Sequence, residues 1–322
     1  MIERTHWHPV AAADELGDAP TAVRLLDDEL VLWRERGGAV HAWADRCPHR
    51  GSKLSLGRVL DGARLECPYH GWQFEGAGRC VAIPALPAFE PPATHRACAH
   101  EACEAYGLVW VRLEPGTSPR PSFDAEGDPR LRKLLCGPYD VATSAPRIVE
   151  NFLDMAHFGF VHEGWLGDRA HVALDDYRVE PSADGFVATQ CRAWQPQSNR
   201  LAAEGTMVDY RYALSAPYTA VLTKLPRAQD GYRDEIALFV CPVSPESSRV
   251  WFRLAVTDFD SSDAQLRAFQ HTIFTQDQPV LESQRPRRLP LGAGAELHCA
   301  ADRSSAAYRR LLRERGYTFG TC

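Results

Sequence analysis

The sequence lacks any hydrophobic run long enough to cross a membrane. A spanning helix needs about 20 predominantly apolar residues, and the apolar runs here, such as Leu30–Trp33, are far shorter. The first residues, Met1–His6, also lack the apolar core of a signal peptide. The sequence therefore predicts a cytoplasmic protein that has no membrane partner.

Lysine is scarce as well, since Lys53, Lys133 and Lys224 are the only lysines and the formal net charge is -6. That mildly acidic balance gives no electrostatic footprint for nucleic acid, so no nucleic-acid partner is expected. The chain also lacks a Gly-x-Gly-x-x-Gly fingerprint for a dinucleotide.

The length of 322 residues allows two domains of about 150 residues each. The first third is predicted to be all-β, with short apolar strands separated by glycines. The turn-rich stretch Pro115–Pro121 predicts the boundary, so the domains are expected at residues 1–115 and 123–322. The second domain is predicted to mix strands with helices, including one that follows a capping box at Ser262 and is kinked or interrupted by Pro279.

Two short segments of the first domain each supply one thiol and one imidazole. The pattern is Cys-x-His at Cys47 and His49, then seventeen intervening residues, then Cys-x-x-His at Cys67 and His70. A Rieske [2Fe–2S] cluster takes two cysteines on one iron and two histidines on the other. A Cys₂His₂ zinc site is the alternative, although zinc fingers usually pair cysteine with cysteine. The Pro and Gly residues beside the ligands also favour the Rieske cluster.

A second group of polar residues lies near the start of the second domain. A helix over residues 149–158 would place Asn151, Asp154 and His157 within about 120° of arc. A further histidine follows five residues after His157, where a regular helix would point it elsewhere. The helix is therefore expected to bend or end near Gly159.

Two histidines and one carboxylate form the facial triad of non-heme Fe(II) oxygenases, which leaves open positions for O₂ and substrate. His157 and His162 are the predicted imidazole ligands, with a purely structural histidine pair as the alternative. Asp277 is the predicted carboxylate, because the nearby Pro279 disturbs helix hydrogen bonding and can re-aim a side chain. Three other aspartates compete with it but fit loop or cap positions better: Asp258, Asp260 and Asp263.

In this order and at this separation, the two patterns resemble the α-subunits of Rieske non-heme iron oxygenases over nearly the whole chain. The resemblance implies an α+β protein, with an N-terminal all-β Rieske domain and a C-terminal helix-grip (START-like) catalytic domain whose antiparallel sheet wraps a long helix. It implies that Cys47 and Cys67 ligate one cluster iron, and His49 and His70 the other.

For the catalytic domain, the resemblance implies a mononuclear Fe(II) held by His157, His162 and Asp277. Asp154 matches the carboxylate that links an iron-ligating histidine to a cluster histidine of a neighbouring subunit. Asn151, in the same motif, is expected to be a second catalytic residue. Together these assignments predict a homotrimer in which the two metal sites meet between subunits.

The segment Gln276–Pro286 is similar to a homotrimeric group containing vanillate O-demethylase, dicamba O-demethylase and toluenesulfonate methyl-monooxygenase, with saxitoxin-pathway hydroxylases in the last branch. The group implies a terminal oxygenase, an oxidoreductase that uses O₂ and NAD(P)H. Its electrons would come through a separate reductase of the flavin and [2Fe–2S] type, with or without a ferredoxin.

The expected reaction is hydroxylation or oxidative demethylation of a small aromatic or polycyclic molecule. Arene cis-dihydroxylation and a Rieske electron carrier without catalysis stay open as alternatives. Five aromatic residues of the second domain fit either a substrate pocket or the core: Trp194, Tyr210, Tyr212, Tyr218 and Phe239.

Overall fold

The computed structural model describes all 322 residues, and the chain divides into two compact units, Ile2–Arg120 and Pro121–Cys322. The division lies between Arg120 and Pro121, within the turn-rich stretch that predicted a boundary. No helix in either unit is both long and apolar enough to span a membrane. The predicted domain bounds, residues 1–115 for the cluster domain and residues 123–322 for the catalytic domain, stay a prediction.

The first unit is all-β. Its strands in chain order are β1 His8–Ala12, β2 Thr21–Leu25, β3 Asp28–Arg34, β4 Val40–Ala44, β5 Arg58–Leu60, β6 Arg64–Glu66, β7 Gln73–Glu75, β8 Cys80–Ala82, β9 Ala99–Ala105 and β10 Leu108–Arg112. They form a six-stranded sheet of order β1-β10-β9-β4-β3-β2 and a four-stranded sheet of order β5-β6-β7-β8. Strands β3 and β4 form a hairpin whose turn contains Gly37 and Gly38. The β5–β6 hairpin fills most of the seventeen residues between the two cluster segments.

The second unit is an antiparallel sheet with four helices. Its strands are β11 Arg132–Val141, β12 Arg178–Pro181, β13 Gly185–Gln195, β14 Thr206–Ser215, β15 Thr219–Pro226, β16 Asp234–Ser244 and β17 Ser247–Val256. Its helices are α1 Ala145–Leu153, α2 Phe158–Val161, α3 Asp263–Ser283 and α4 Arg303–Arg315. The sheet order is β11-β17-β16-β15-β14-β13-β12. The α+β class with an antiparallel sheet and a long helix is thereby confirmed.

The prediction of a single helix over residues 149–158 was wrong. Helix α1 ends at Leu153, Asp154 is extended with ψ 143°, and α2 begins only at Phe158. The carboxylate of Asp154 accepts hydrogen bonds from the N–H groups of Ala156 (3.2 Å) and His157 (3.0 Å). A short acidic side chain that binds nearby backbone N–H groups in this way competes with the helix.

Helix α3 begins as expected, because Ser262 and Gln265 form a reciprocal capping box. Of the two expected effects of Pro279, a kink or an interruption, the interruption is absent, because α3 continues to Ser283. Tertiary contacts hold the last turn: Leu281 is fully buried, and Glu282 accepts a hydrogen bond from the Ala142 N–H. These contacts offset the one helix hydrogen bond that a proline removes.

Candidate metal centres and substrate cavity

The two predicted cluster segments fold into loops of the same geometry. In the first loop, the Cys47 N–H donates to the Ser52 carbonyl (2.8 Å) and the Gly51 N–H donates to the Cys47 carbonyl (2.9 Å). The second loop repeats both bonds, twenty residues later, with Cys67 (2.8 Å) and Gly71 (3.1 Å) as the donors. Each turn therefore presents its cysteine in the same way.

Glycine at the end of each loop has a conformational reason. Gly51 has φ +73° and Gly71 has φ +69°, in the left-handed region that side chains disfavour. At Gly71 a Cβ would also approach the Cγ of Pro84 to 3.0 Å. A residue with a side chain at either position would strain the turn that follows the histidine.

The four predicted cluster ligands lie in two pairs. Cys47 and Cys67 are buried, whereas His49 is half-buried and His70 exposed, with ring centroids 4.5 Å apart. Burial raises the pKa of Cys47 to about 12, and the neighbouring Cys67 contributes to the shift. A thiol in such surroundings becomes a ligand only where a metal stabilises its thiolate.

The paired arrangement distinguishes a [2Fe–2S] cluster site from a site for a single zinc ion. A single zinc holds its ligands at about 2.0–2.3 Å, so all four would lie within about 4 Å of one another. No three of these four residues bring ligand atoms within 4.8 Å of one another. Two thiols and two imidazoles at separate positions suit a cluster that binds thiolates on one iron and imidazoles on the other.

Aromatic rings hold one of the cluster histidines. The indole of Trp72 stacks on the His49 ring, with centroids 4.5 Å apart and an interplanar angle of 6°. Its other stacking partner is His95, at 5.4 Å and 7°. Nothing in the sequence singled out His95, which lies in the connection between β8 and β9.

In the second unit, His157, His162 and Asp277 converge. The two histidine Nε2 atoms are 3.2 Å apart, and the Asp277 Oδ1 atom lies 3.5 Å from one and 3.3 Å from the other. His162 is 2 % exposed and Asp277 7 %. They are also the one group of three or more potential ligands in the structure whose ligand atoms all lie within 4.8 Å.

Both histidines are oriented by a second partner at the opposite ring nitrogen. The His157 Nδ1 lies 2.7 Å from Asp154 Oδ2, and the His162 Nδ1 lies 2.9 Å from the Gln276 carbonyl oxygen Oε1. Because each acceptor takes an Nδ1–H, both Nε2 atoms carry lone pairs. Two lone pairs and a carboxylate oxygen this close repel one another unless a cation lies between them, so the donor set fits a metal ion.

Gln276 is the functional candidate that the sequence did not reveal. It directly precedes Asp277, but nothing in its neighbours indicated a contact with a histidine 114 residues earlier. Asn151, which was singled out, donates from Nδ2 to Asp277 Oδ1 at 3.3 Å. The structure therefore places an oriented partner beside each of the three converging residues.

Asp154 is an anion in this arrangement. Burial by itself would raise the pKa of Asp154, but hydrogen bonds from the His157 ring and from the N–H groups of His157 and Ala156 lower it below its usual value. An ionised Asp154 fixes the proton of His157 on Nδ1. The remaining exposed fraction of its side chain, 21 %, leaves the carboxylate accessible to a further donor.

A cavity of about 1010 Å³, counted with the open solvent at its mouth, contains the three converging residues in its wall. Most of its lining is apolar, including Phe152, Leu222, Ile236, Phe252, Leu254 and Phe274. Helix α3 contributes one face at the three- and four-residue spacing of a helix: Leu266, Phe269, Gln270, Ile273, Phe274 and Asp277. This composition is typical of a small-molecule site.

The five aromatic residues considered for a pocket divide between the two alternatives. Tyr210 and Tyr212 line the cavity, whereas Trp194, Tyr218 and Phe239 do not. Tyr218 and Phe239 are instead buried in the protein core. Strand alternation could not distinguish these cases, because the cavity lies on only part of one face of the sheet.

Family profiles match both units. The profile of the Rieske [2Fe-2S] domain matches residues 6–93, and that of the vanillate O-demethylase oxygenase C-terminal domain matches residues 141–316. The first match contains the two Cys/His loops, and the second contains His157, His162 and Asp277. More than half of the chain thus lies in the oxygenase profile.

Similar proteins extend the match over nearly the whole chain. Methylxanthine N1-demethylase NdmA of Pseudomonas putida is 34% identical over 97% of this chain and 88% of its own length. The N3-demethylase NdmB of the same organism is 32% identical over 97% and 89%. The solved structure of Pseudomonas putida CBB5 NdmA with caffeine matches with a TM-score of 0.83, 32% identity, and coverage of 97% and 90%. Dicamba monooxygenase bound to dicamba has the same fold, with a TM-score of 0.78 at 23% identity and coverage of 98% and 99%.

Proposed function

The chain belongs to the Rieske non-heme iron oxygenases, and from that membership we propose that it removes a methyl group from nitrogen or oxygen of a small planar aromatic molecule. Members of this family are the catalytic subunits of systems that take electrons from NAD(P)H through a separate reductase. The chain is accordingly an oxidoreductase, and a Rieske electron carrier without catalysis is no longer an alternative.

One observation carries the demethylase proposal: the His157, His162 and Asp277 group opens into an apolar, aromatic-walled cavity in a chain that resembles two methylxanthine demethylases over 97% of its length. Such walls favour a flat ring and exclude water from the reacting methyl group. A relative named as a 3-chlorobenzoate dioxygenase subunit, from Comamonas testosteroni, matches only 56% of the chain. Demethylation is therefore preferred to dihydroxylation.

In this proposal the cluster is held by Cys47, His49, Cys67 and His70, and Fe(II) by His157, His162 and Asp277. When bound, the cluster supplies single electrons and Fe(II) supplies O₂ activation. Asp154 and Gln276 keep the Nδ1 protons of the two histidines in place, so that both Nε2 atoms face the metal position. Asn151 orients the Asp277 carboxylate by donating to its Oδ1.

The test is turnover of purified protein reconstituted with iron and sulfide, supplied with a surrogate reductase, NADH and a panel of N-methyl and O-methyl aromatics. We expect formaldehyde in equal amount to a product that has lost one CH₂ unit. Mass spectrometry separates this result from addition of one oxygen atom to the ring or of two. NADH-dependent ring dihydroxylation without formaldehyde across the whole panel would contradict the proposal.

We further propose that the chain works as a homotrimer in which Asp154 contacts a neighbouring subunit. His70 is exposed and makes no hydrogen bond within the chain, while the Asp154 carboxylate keeps part of its surface open. A ring nitrogen of His70 on one subunit can therefore donate to Asp154 on the next. Head-to-tail contacts of this kind close into a ring when the rotation allows.

Asp154→Asn tests this contact. The variant is expected to keep both metal sites and the trimer, but its reduced cluster should reoxidise far more slowly when mixed with O₂ and substrate. Stopped-flow absorbance measures the rate, and analytical ultracentrifugation measures the assembly. Wild-type reoxidation in the variant, or a monomeric wild-type protein, would refute it. Participation of a ferredoxin, the likeness to the toluenesulfonate branch and the cytoplasmic location stay predictions.

A further inference from the structure

The substrate cavity contains one pair of buried, oppositely charged residues. Lys224 on β15 is 5 % exposed, and Asp234 on β16 is 6 % exposed. The two stand opposite each other in the register of the strands, and both line the cavity. Burial lowers the pKa of Lys224 to about 8 and raises the pKa of Asp234 to about 6.

These two side chains attract each other without touching. No ion pair within 4.0 Å and no hydrogen bond joins them. The Tyr232 hydroxyl faces the Asp234 carboxylate as a hydrogen-bond donor, but the Asp234 Oδ1 atom has no hydrogen-bond partner. The other two lysines differ, since Lys53 binds Glu29 and Lys133 binds backbone carbonyls. Lys224 is thus the lysine whose ammonium group is buried without a bonded partner.

A purely structural role does not explain this geometry. Burying two charges is costly, and their attraction offsets that cost only when the pair is in good contact with its remaining polar atoms satisfied. Here the two charges make no direct contact, and both residues line the cavity. A donor and an acceptor held apart in this way are completed by a third group that binds both.

The neighbouring polar atoms extend this part of the wall. Tyr210 pairs with Lys224 across the adjacent strands and also lines the cavity, and its buried hydroxyl has no well-formed hydrogen bond. Gln195 lies beside the Tyr210 hydroxyl, yet neither of its amide atoms has a partner of good geometry. The next residues toward the middle of the sheet, Leu222 and Ile236, are apolar. The cavity therefore has one polar edge.

We infer that Lys224 and Asp234 bind the polar edge of the substrate, with the ammonium donating to a ring carbonyl and the carboxylate accepting from an adjacent ring N–H. The substrate class is a planar heterocycle that carries a lactam or imide edge. An anionic ligand does not suit the site, because it would face the carboxylate of Asp234. The inference rests on the proposed function only in taking this cavity as the substrate site.

Two matched pairs of probes test the inference by calorimetry on the metal-loaded protein without O₂ or reductase. Theobromine carries an N–H between two ring carbonyls, and caffeine carries a methyl group at that nitrogen. 1-Methyluracil and 1,3-dimethyluracil differ in the same manner on a smaller ring. We expect the N–H member of each pair to bind about tenfold more tightly or better, because hydrogen bonds to buried charges are strong.

Variants locate the preference. Lys224→Met and Asp234→Ala should each bring the affinity ratio of the pairs close to one. The double variant Lys224→Met with Asp234→Leu, which leaves no lone buried charge, should do the same. Glu235→Ala is the control, since Glu235 follows Asp234 but pairs with Arg233 (3.4 Å) and is absent from the cavity wall. The visible spectrum of the cluster reports folding in every variant.

Three results would overturn the inference: equal affinity within both pairs for the wild type, no binding of any probe, or an unchanged preference in the double variant. The wild-type comparison is decisive even where a variant fails to fold. Demethylation of other compounds without an N–H preference would refute this inference and leave the proposed function intact. An N–H preference with no methyl release from any substrate would support this inference and refute the proposed function.

Discussion

The two metal sites differ in how far along the chain their ligands are separated. The cluster ligands come from two short loops that repeat the same backbone hydrogen bonds around Cys47 and Cys67. The mononuclear group joins His157 and His162 to Asp277, which lies on α3 more than a hundred residues later. The first site is built largely by local turns, and the second by the packing of a helix against a sheet.

This difference predicts how each metal site responds to substitution of the residues around it. A local loop keeps its cysteine oriented as long as its own few hydrogen bonds persist. A site assembled from distant elements also depends on partners such as Gln276 and Asn151, which orient the ligands from outside the metal position. We therefore expect substitutions near the cluster either to abolish the cluster or to leave it intact. Substitutions around the mononuclear site should instead weaken metal binding by degrees.

The largest effect is expected for Cys67→Ser. Loss of one thiolate should remove the whole cluster, so that iron falls from about three to about one per chain and acid-labile sulfide disappears. The mononuclear iron should stay, because its ligands lie in the other unit. Iron and sulfide analysis with EPR of the reduced protein measures this. Cys98→Ser, at an exposed cysteine outside the pattern, is the matched control. A Rieske EPR signal in Cys67→Ser would disprove the ligand assignment.

Asp277→Ala should have the next largest effect. Iron is expected to fall from about three to about two per chain, with the cluster spectrum intact and turnover lost. The exposed Asp260, in the loop before α3, provides the control Asp260→Ala. If Asp277→Ala retains full iron and activity, the carboxylate ligand is another residue.

Gln276→Ala should give a graded defect. Removing the acceptor of the His162 Nδ1–H is expected to weaken Fe(II) binding by about 10–100-fold, as for other residues that orient metal ligands. Titration of the apo mononuclear site with Fe(II) measures the affinity, while the cluster spectrum should be unchanged. Gln278→Ala is the control, because Gln278 lies on the same helix but binds the Asp140 carbonyl and Glu282. Equal Fe(II) affinity in the two variants would show that Gln276 does not orient His162.

The smallest effect is expected for Ser262→Ala at the start of α3. Loss of an N-cap side chain costs about 1 kcal/mol, which corresponds to about 2–4 °C in the apparent Tm of a unit of this size. Iron content should be unchanged, since contacts far from the cap hold Asp277. Calorimetry compares this variant with Ser283→Ala at the other end of the helix. Loss of mononuclear iron in Ser262→Ala would mean that the helix start, rather than its packing, positions the ligand.

The sequence predicted the mixture of strands and helices in the second unit, the capping box at Ser262 and the candidate ligands of both metal sites. Its helix over residues 149–158 ran past Leu153, where α1 ends. The reason for this error is local chemistry: the Asp154 side chain takes backbone N–H groups that a continuing helix would leave to its carbonyls. Helical periodicity does not detect such competition.

The sequence by itself determined the pairing of one cysteine with one histidine in each cluster loop, because those residues are joined by turns of a few residues and their spacing is already their geometry. Only the tertiary structure decided that Asp277 meets the two histidines, that Gln276 orients one of them, and that Lys224 stands opposite Asp234 in the cavity wall. Each of these contacts joins different elements. Their distances are set by how the sheet and α3 pack together, which no short stretch of sequence specifies.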